Sequence, residues 1–411
     1  VRIDGDHRRR LLVSRQLALG LDAPGRPAAT TPEEVADRLV ALHATDPSSV
    51  HLAVLARVPD LTLDDVQAAL HVRAGLVKLL AMRRTVFAVP RHLVPVVHAA
   101  ASADVAPRLR ARLLKELATL PTEPPVEDPD ALLAAAESQV LDVLREHGPA
   151  DGTELTRRAP LLRTAFLPAT TRAWDVRRHL TAQLLPLLSA QARIVRGAPK
   201  GAWTSSRHVW SPMTDLFPDG VPDVDPSVAR RELARRWLEA FGPATEADLR
   251  WWTGWNLGRT RAALADLDLR EVEVDVAPPG ADPALVAGVV LRGADLDAPA
   301  VDDHVALLPP LDPTTMGWTH RDWYLGDHRP ALFDSAGNAG ATVWWQGRVV
   351  GAWTVREGGD VAHRLLEDVG ADGAAAVGAE AARLGTHLAG SSGTVVASVT
   401  PLYRELRASP G

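Results

Sequence analysis

Two rhythms of apolar and polar positions run along this chain, one of helical period and one alternating, and they exchange several times. Val35, Leu39 and Leu42 fall at i, i+4 and i+7, the spacing of one buried helix face. Thr31-Pro32-Glu33-Glu34 opens that helix, with proline where the first N–H needs no partner. The helix predicted here runs into "LHATDPSS", which puts His43 in its last turn and at the border of the buried face. Asp46-Pro47 then reads as an N-cap with proline at N1, the start of the next helix. Helices are predicted to continue through Leu80, and "RTVFAVP" to supply a strand.

Farther along, "VLREHGPADGTELTRRAPLL" and "WLEAFGPATEADLRWWTGWN" repeat one pattern. In each, an apolar helix ends at a glycine, Gly148 or Gly242, expected in the left-handed conformation that closes helices. Capping boxes follow, Asp151 with Glu154 and Thr245 with Asp248, and each starts a second helix. After the first copy, "ATTRAWDVRRHLTAQLLPLLSAQ" predicts a third helix, and "ARIVRGAPKGAWTSS" a hairpin turning through Pro-Lys-Gly. After the second, "LGRTRAALADL" is followed by "REVEVDV" and "ALVAGVVLRG". Helix, helix, helix and hairpin is the winged-helix arrangement. The N-terminal region fits a third, less regular copy. Beyond about residue 300, "HVALLPPLDP", "ATVWWQGRVVGAWTVRE" and "GTVVASVT" read as strands around an Ala-rich helix at 371–388.

The expected fold is therefore α+β and mainly α. It has winged-helix domains at 1–120, 130–216 and 226–298 and a β-rich α+β unit at 299–411, with Pro- and Asp-rich linkers at 121–130 and 217–226. A length of 411 residues agrees with several cores. An apolar fraction of 46% with 23% charged residues is that of a globular chain. No window is apolar enough to span a bilayer, and "VRIDGDHRRRLL" lacks a signal-peptide core. The absence of cysteine removes disulfides, thiol nucleophiles and Cys-type zinc sites, and a cytoplasmic, monomeric protein is expected.

A formal net charge of −6 argues against a nucleic-acid partner until the charges are placed. Thr156–Trp210 holds ten Arg or Lys and one acid, Asp175, a balance of +9 that points to a polyanion. On a winged helix, Arg172, Arg177 and Arg178 would ride the third helix into the major groove, with Arg193, Arg196 and Lys200 on the wing. Trp251, Trp252 and Trp255 are expected to pack rather than to stack on bases.

These features, with "LHATDPSSVHLAVLARV", "LLAMRRTVFAVP", "GPATEADLRWWTGW", "LLPPLDPTTMGWTHRDWYL" and "GRVVGAW", resemble the tandem winged-helix superfamily of bacterial DNA glycosylases. The resemblance spans nearly the whole chain. It implies a C-shaped scaffold around double-stranded DNA, no metal or cofactor, and removal of bulky or crosslinking N-alkylated purines. It also implies that Arg83 and Arg84 face DNA or the Asp46 region, and that Asp312 is structural. Where the family carries Gln-x-Gln or Gln-x-Asp, this chain has His43 and Thr45.

Loss of an N-alkylated base needs a water beside C1′ and negative charge near an oxocarbenium-like sugar. Neutral His43 and Thr45 are the candidates to hold that water, and Asp46 to supply the charge. Protonation of His43 would then lower activity between pH 8 and 5.5, and burial of His43 would remove it from the role. Asp302, Asp303, His304, Asp312, His320, Asp322, Asp327 and His328 crowd one segment, but without metal-ligand spacing. Two other functions fit the same pattern: a DNA-binding protein without catalysis, and a winged-helix protein-interaction module.

Overall fold

The computed structural model describes residues 1–23, 26–168, 170, 176–297, 303–356, 359–391 and 400–408. Among these, the strands form four small sheets set between helices, a mixed α+β architecture. The largest sheet has six strands in the order Leu42–His43, Val86–Pro90, Leu76–Leu80, Ile194–Pro199, His208–Pro212 and Ala150–Asp151. It runs without a break from the N-terminal region into the first repeated unit, joined where Lys78 pairs with Arg196.

Two predicted helices give way to that sheet. The helix Pro32–Arg38 begins as expected, with Thr31 and Glu34 forming a capping box, but it ends at Arg38. Val40 takes a positive φ of 68° and turns the chain, so Leu42 and His43 become an edge strand paired with Ala88 and Phe87. His43 is therefore not in a last helical turn. Leu76–Leu80 is a strand rather than a helix, because neighbours on both sides take its backbone groups and outweigh local preference.

The repeated units follow the expected order with differences in detail. Gly148 closes the helix Pro129–His147 at φ 75°, whereas Gly242 closes Pro226–Phe241 in extended conformation at φ −72°. Glycine is needed at 242 for space, since a Cβ there would lie 2.5 Å from the Leu238 carbonyl oxygen. Thr245 and Asp248 form the complete capping box at the helix Glu246–Thr253, while Asp151 makes only the forward bond, accepting from the Glu154 N–H at 2.8 Å. After the second copy come the helix Leu257–Ala265 and the hairpin Leu269–Asp275 with Leu285–Leu291, as expected. In the first copy the corresponding helix is only Thr181–Ala190. Its hairpin returns at His208–Pro212, later than the predicted "GAWTSS".

In the C-terminal unit the strands Val305–Leu308, Thr342–Trp345, Arg348–Val355 and Val361–Leu365 form one antiparallel sheet, covered by the helix Gly370–Leu388. Its predicted turn at Gln346-Gly347 has positive φ at both residues, 49° and 76°. Most of the predicted strand "GTVVASVT" lies outside the described residues. The units are locked together by buried polar links. Arg57 and Asp312, both fully buried, meet at 2.7 and 2.9 Å. Asp248 accepts the N–H groups of Thr319 and His320 at 2.9 and 3.0 Å. Among the described residues, no helix is long and apolar enough to cross a membrane.

Candidate active site

The candidate site forms where the edge strand Leu42–His43 leaves the sheet and the helix Pro47–Leu55 begins. Ala44 holds the crossing by donating its N–H to the Val86 carbonyl at 2.8 Å. His43 points its ring against Phe87, with centroids 4.8 Å apart, and is only 4% exposed. Burial, helped by the nearby Arg83 guanidinium, pushes its pKa down to about 3, so the imidazole is neutral at working pH. Its Nδ1 accepts a long hydrogen bond of 3.4 Å from the Thr45 N–H, which places the ring proton on Nε2.

Thr45 is exposed, and its hydroxyl oxygen accepts from the Val86 N–H at 3.3 Å. That bond leaves its own proton free to donate. Asp46 caps the helix as expected, and it does so with one oxygen. Oδ1 accepts both the Ser48 N–H at 2.8 Å and the Ser48 hydroxyl at 2.7 Å. Oδ2 has no hydrogen-bond partner among the described residues. Partial burial raises the Asp46 pKa against the lowering effect of the Ser48 bonds.

Arg83 and Arg84 occupy the turn between Leu76–Leu80 and Val86–Pro90, both at positive φ, 52° and 61°. Arg83 lies 4.1 Å from the Trp251 ring and Arg321 lies 4.4 Å from the same ring, while Arg84 is exposed. Of the three tryptophans, Trp252 and Trp255 are core residues at 2% and 7% exposure, and Trp251 is the part-buried one that these arginines flank. Arg321 was not foreseen as a site residue. It stands in a quoted motif, but nothing local signals that it reaches Trp251.

The junction thus presents a half-buried Asp46 carboxylate, whose Oδ2 has no hydrogen-bond partner among the described residues, and an exposed Thr45 hydroxyl whose proton can be donated. A family model described as "DNA glycosylase AlkZ-like" matches residues 36–387. The chain belongs to that family. The structure is also similar to that of the Streptomyces sahachiroi DNA glycosylase AlkZ, with a TM-score of 0.66 and 19% identity over 94% of this chain and 98% of that one. A search of curated proteins finds no match. Membership makes this a DNA-repair glycosylase fold whose family implies DNA as partner.

The basic segment looks different once folded. Arg177 pairs with Glu123 at 2.7 Å, Arg178 with Glu116 at 2.8 Å, Arg193 with Glu137 at 2.7 Å and Lys200 with Asp151 at 2.8 Å. These four carboxylates come from outside the segment, so part of its +9 is balanced by neighbours. Arg177 and Arg178 precede the helix Thr181–Ala190 instead of riding on it, and Arg178 lies in the short strand Arg178–His179. Arg172 lies outside the described residues. Arg196 has no carboxylate partner among the described residues, and Arg163 donates to the carbonyls of Thr156 and Arg157.

The acidic and histidine-rich segment is divided among separate contacts. Asp312 serves Arg57, and His328 meets Glu367 at 2.8 Å. His304 is pushed down to about 4 by burial. Asp302 lies outside the described residues.

Proposed function

We propose that this chain is a monofunctional DNA glycosylase that releases bulky or crosslinking N-alkylated purines from double-stranded DNA. The proposed scaffold is a C-shaped set of three winged-helix units, at 1–120, 130–216 and 226–298, followed by the C-terminal unit. The single observation that carries the reading is an Asp46 Oδ2 with no hydrogen-bond partner among the described residues, one residue along the chain from the exposed Thr45. In the reaction, the C1′–N bond breaks with its electron pair leaving on the base, which is already cationic and departs neutral. A water held by Thr45 bonds to C1′, and its proton passes to Asp46. The same carboxylate supplies negative charge to the sugar as positive charge develops there. His43 is a positioning residue in this scheme: its ring accepts from the Thr45 N–H and fixes the loop that presents Thr45 and Asp46. Arg83, Arg84, Arg177, Arg178, Arg193, Arg196 and Lys200 are the proposed strand contacts.

Asp46→Asn tests the reading cleanly, because asparagine caps a helix about as well as aspartate. Release of free base from an N7-alkylated duplex, followed by chromatography, is expected to fall roughly 100-fold or more in this variant with unfolding unchanged. Base release at the wild-type rate by Asp46→Asn would overturn it. A second reading, DNA binding without catalysis, is favoured by the burial of His43 at a position where the family carries glutamine. It predicts duplex binding with no base release by the wild type.

A further inference from the structure

Lys78 and Arg196 stand side by side in the middle of the six-stranded sheet, on directly paired positions of neighbouring strands. Residues paired across strands project to the same face, so two cations share one patch of sheet. Neither has a carboxylate partner among the described residues. Burial together with Arg196 pushes Lys78 down to about 8, and nothing nearby counters the shift. Arg177, Arg178, Arg193 and Lys200 of the basic segment each meet an acid, so a buried pair of cations without one is a departure that needs a cause.

The groups around the pair have the same character. His51 arrives from the helix Pro47–Leu55, His71 from the turn Ala68–Val72, His208 from the strand His208–Pro212 and Trp203 from the loop before it. The His51 ring meets Trp203 at 5.0 Å, His208 meets Trp210 at 4.8 Å, and Arg196 lies 5.2 Å from the Trp210 ring. Lys78 is close enough to lower the proton affinity of all three imidazoles. Five buried polar atoms here lack a hydrogen-bond partner among the described residues: His51 Nε2, both ring nitrogens of His71, His208 Nε2 and Trp203 Nε1. His51 is itself only 1% exposed. Buried polar atoms are costly to leave unpaired, so five of them gathered beside two cations without a carboxylate partner among the described residues point to a ligand that completes the site.

We infer that Lys78, Arg196, His51, His71, His208 and Trp203 form a binding site for a tetrahedral phosphoryl oxyanion. Ammonium, guanidinium and indole N–H are all donors, and the guanidinium can grip two oxygens at once. His51 and His208 use Nδ1 on the carbonyls of Pro47 and Ser206, at 3.1 and 2.9 Å, which leaves Nε2 of each ring to take a proton when an anion arrives. The charged or titratable groups on the elements packed around the anion are then Lys78, Arg196, His51, His71 and His208. Binding therefore takes up protons and strengthens as pH falls. The site deepens the glycosylase reading, since a phosphodiester of the bound strand carries this group, but free phosphate offers the same oxygens.

Calorimetric titration of inorganic phosphate into the full chain tests the site without any base release, so it stands even where no glycosylase activity is found. One phosphate is expected per chain, bound more tightly at pH 6 than at pH 8, with about tenfold or greater loss in Lys78→Met and in Arg196→Met. Lys78→Arg keeps the charge and is expected to retain binding. Phosphate should raise the melting temperature of the wild type and of neither Met variant, and a cooperative melting transition in each variant shows that it folds. A second arm measures affinity for a fluorescent duplex across salt. A fall of about 0.9 in the log–log salt slope of the Met variants, with phosphate competing, assigns the site to a DNA phosphodiester. Phosphate binding lost in the variants with an unchanged slope assigns it to free phosphate. Equal phosphate binding by wild type and Met variants, or none by either at both pH values, overturns the site.

Discussion

Asp46 divides its work between its two oxygens. Oδ1 caps the start of the helix Pro47–Leu55 through Ser48, and Oδ2, with no hydrogen-bond partner among the described residues, is the oxygen proposed for the chemistry. Its neighbour His43 cannot govern the pH response, because a group titrating at about 3 is neutral throughout the working range. The loss of activity between pH 8 and 5.5 expected from His43 therefore drops out, and the acid side of the profile is left to Asp46, whose burial raises its pKa. The carboxylate must be ionised to act, so the rate is expected to be level from pH 8 downward. It then declines on the acid side at higher pH than an ordinary carboxylate would give. That acid limb should be missing from the residual rate of Asp46→Asn. A limb of unchanged midpoint in the variant would remove Asp46 from the role. Arg178 offers a contrasting residue, since it is part-exposed and paired with Glu116. Arg178→Ala is expected to change urea stability by less than about 1 kcal/mol. The same variant should lower the salt slope of DNA binding by about 0.9, and an unchanged slope would take Arg178 out of the interface.

At the scale of elements, the helix carrying the candidate site is anchored at both ends. Asp46 fixes its start, and Arg57 just past its end enters the fully buried pair with Asp312. Arg57 also donates to the carbonyls of Gln16 and Ala53 at 2.6 and 2.8 Å and to Thr314 at 2.8 Å, so the guanidinium is held on every side. Asp312→Ala strands that charge without a partner, and a loss of about 3–5 kcal/mol in denaturant unfolding is expected. Arg57→Met combined with Asp312→Leu should recover much of the loss, because no charge then remains buried. A loss below 1 kcal/mol in Asp312→Ala, a limit set roughly by exposed pairs, would show that the pair does not hold the C-terminal unit in place. The repeated helix–turn–helix shows how far such elements can be read locally. Both copies were visible from glycine, proline and cap residues. Their different closures at Gly148 and Gly242 were not, since the second is set by the approach of the Leu238 carbonyl.

Across the whole molecule, several imidazoles are buried neutral. His43 and His51 are pushed down to about 3 and His304 to about 4, against an ordinary value near 6.5. Their folded proton affinity is depressed, so the unfolded chain binds more protons once the pH drops below about 6.5. The stability they contribute is complete above about 6.5 and is lost progressively as pH falls toward about 3, by up to about 1.4 kcal/mol per pH unit for each fully buried ring. Melting temperature is therefore expected to fall between pH 7 and pH 5. His51→Leu should flatten part of that fall, and an identical pH dependence in the variant would count against the assignment.

The sequence by itself determined the elements whose causes lie within a few residues. These include the caps at Thr31, Asp46 and Thr245, the Gln346-Gly347 turn, the hairpin after Leu257–Ala265 and the family motifs that run through the chain. It also placed His43, Thr45 and Asp46 at one junction. Tertiary structure decided everything that depends on a distant partner. Strand pairing with Val86–Pro90 turned the predicted helix end at His43 into a buried sheet edge. Carboxylates from outside the basic segment paired with Arg177, Arg178 and Arg193, which a count along the chain could not see. Lys78 and Arg196, more than a hundred residues apart, were brought into one register by the shared sheet. Local signals fix backbone conformation, whereas burial and electrostatics depend on which surfaces meet, and that is settled only when the chain folds.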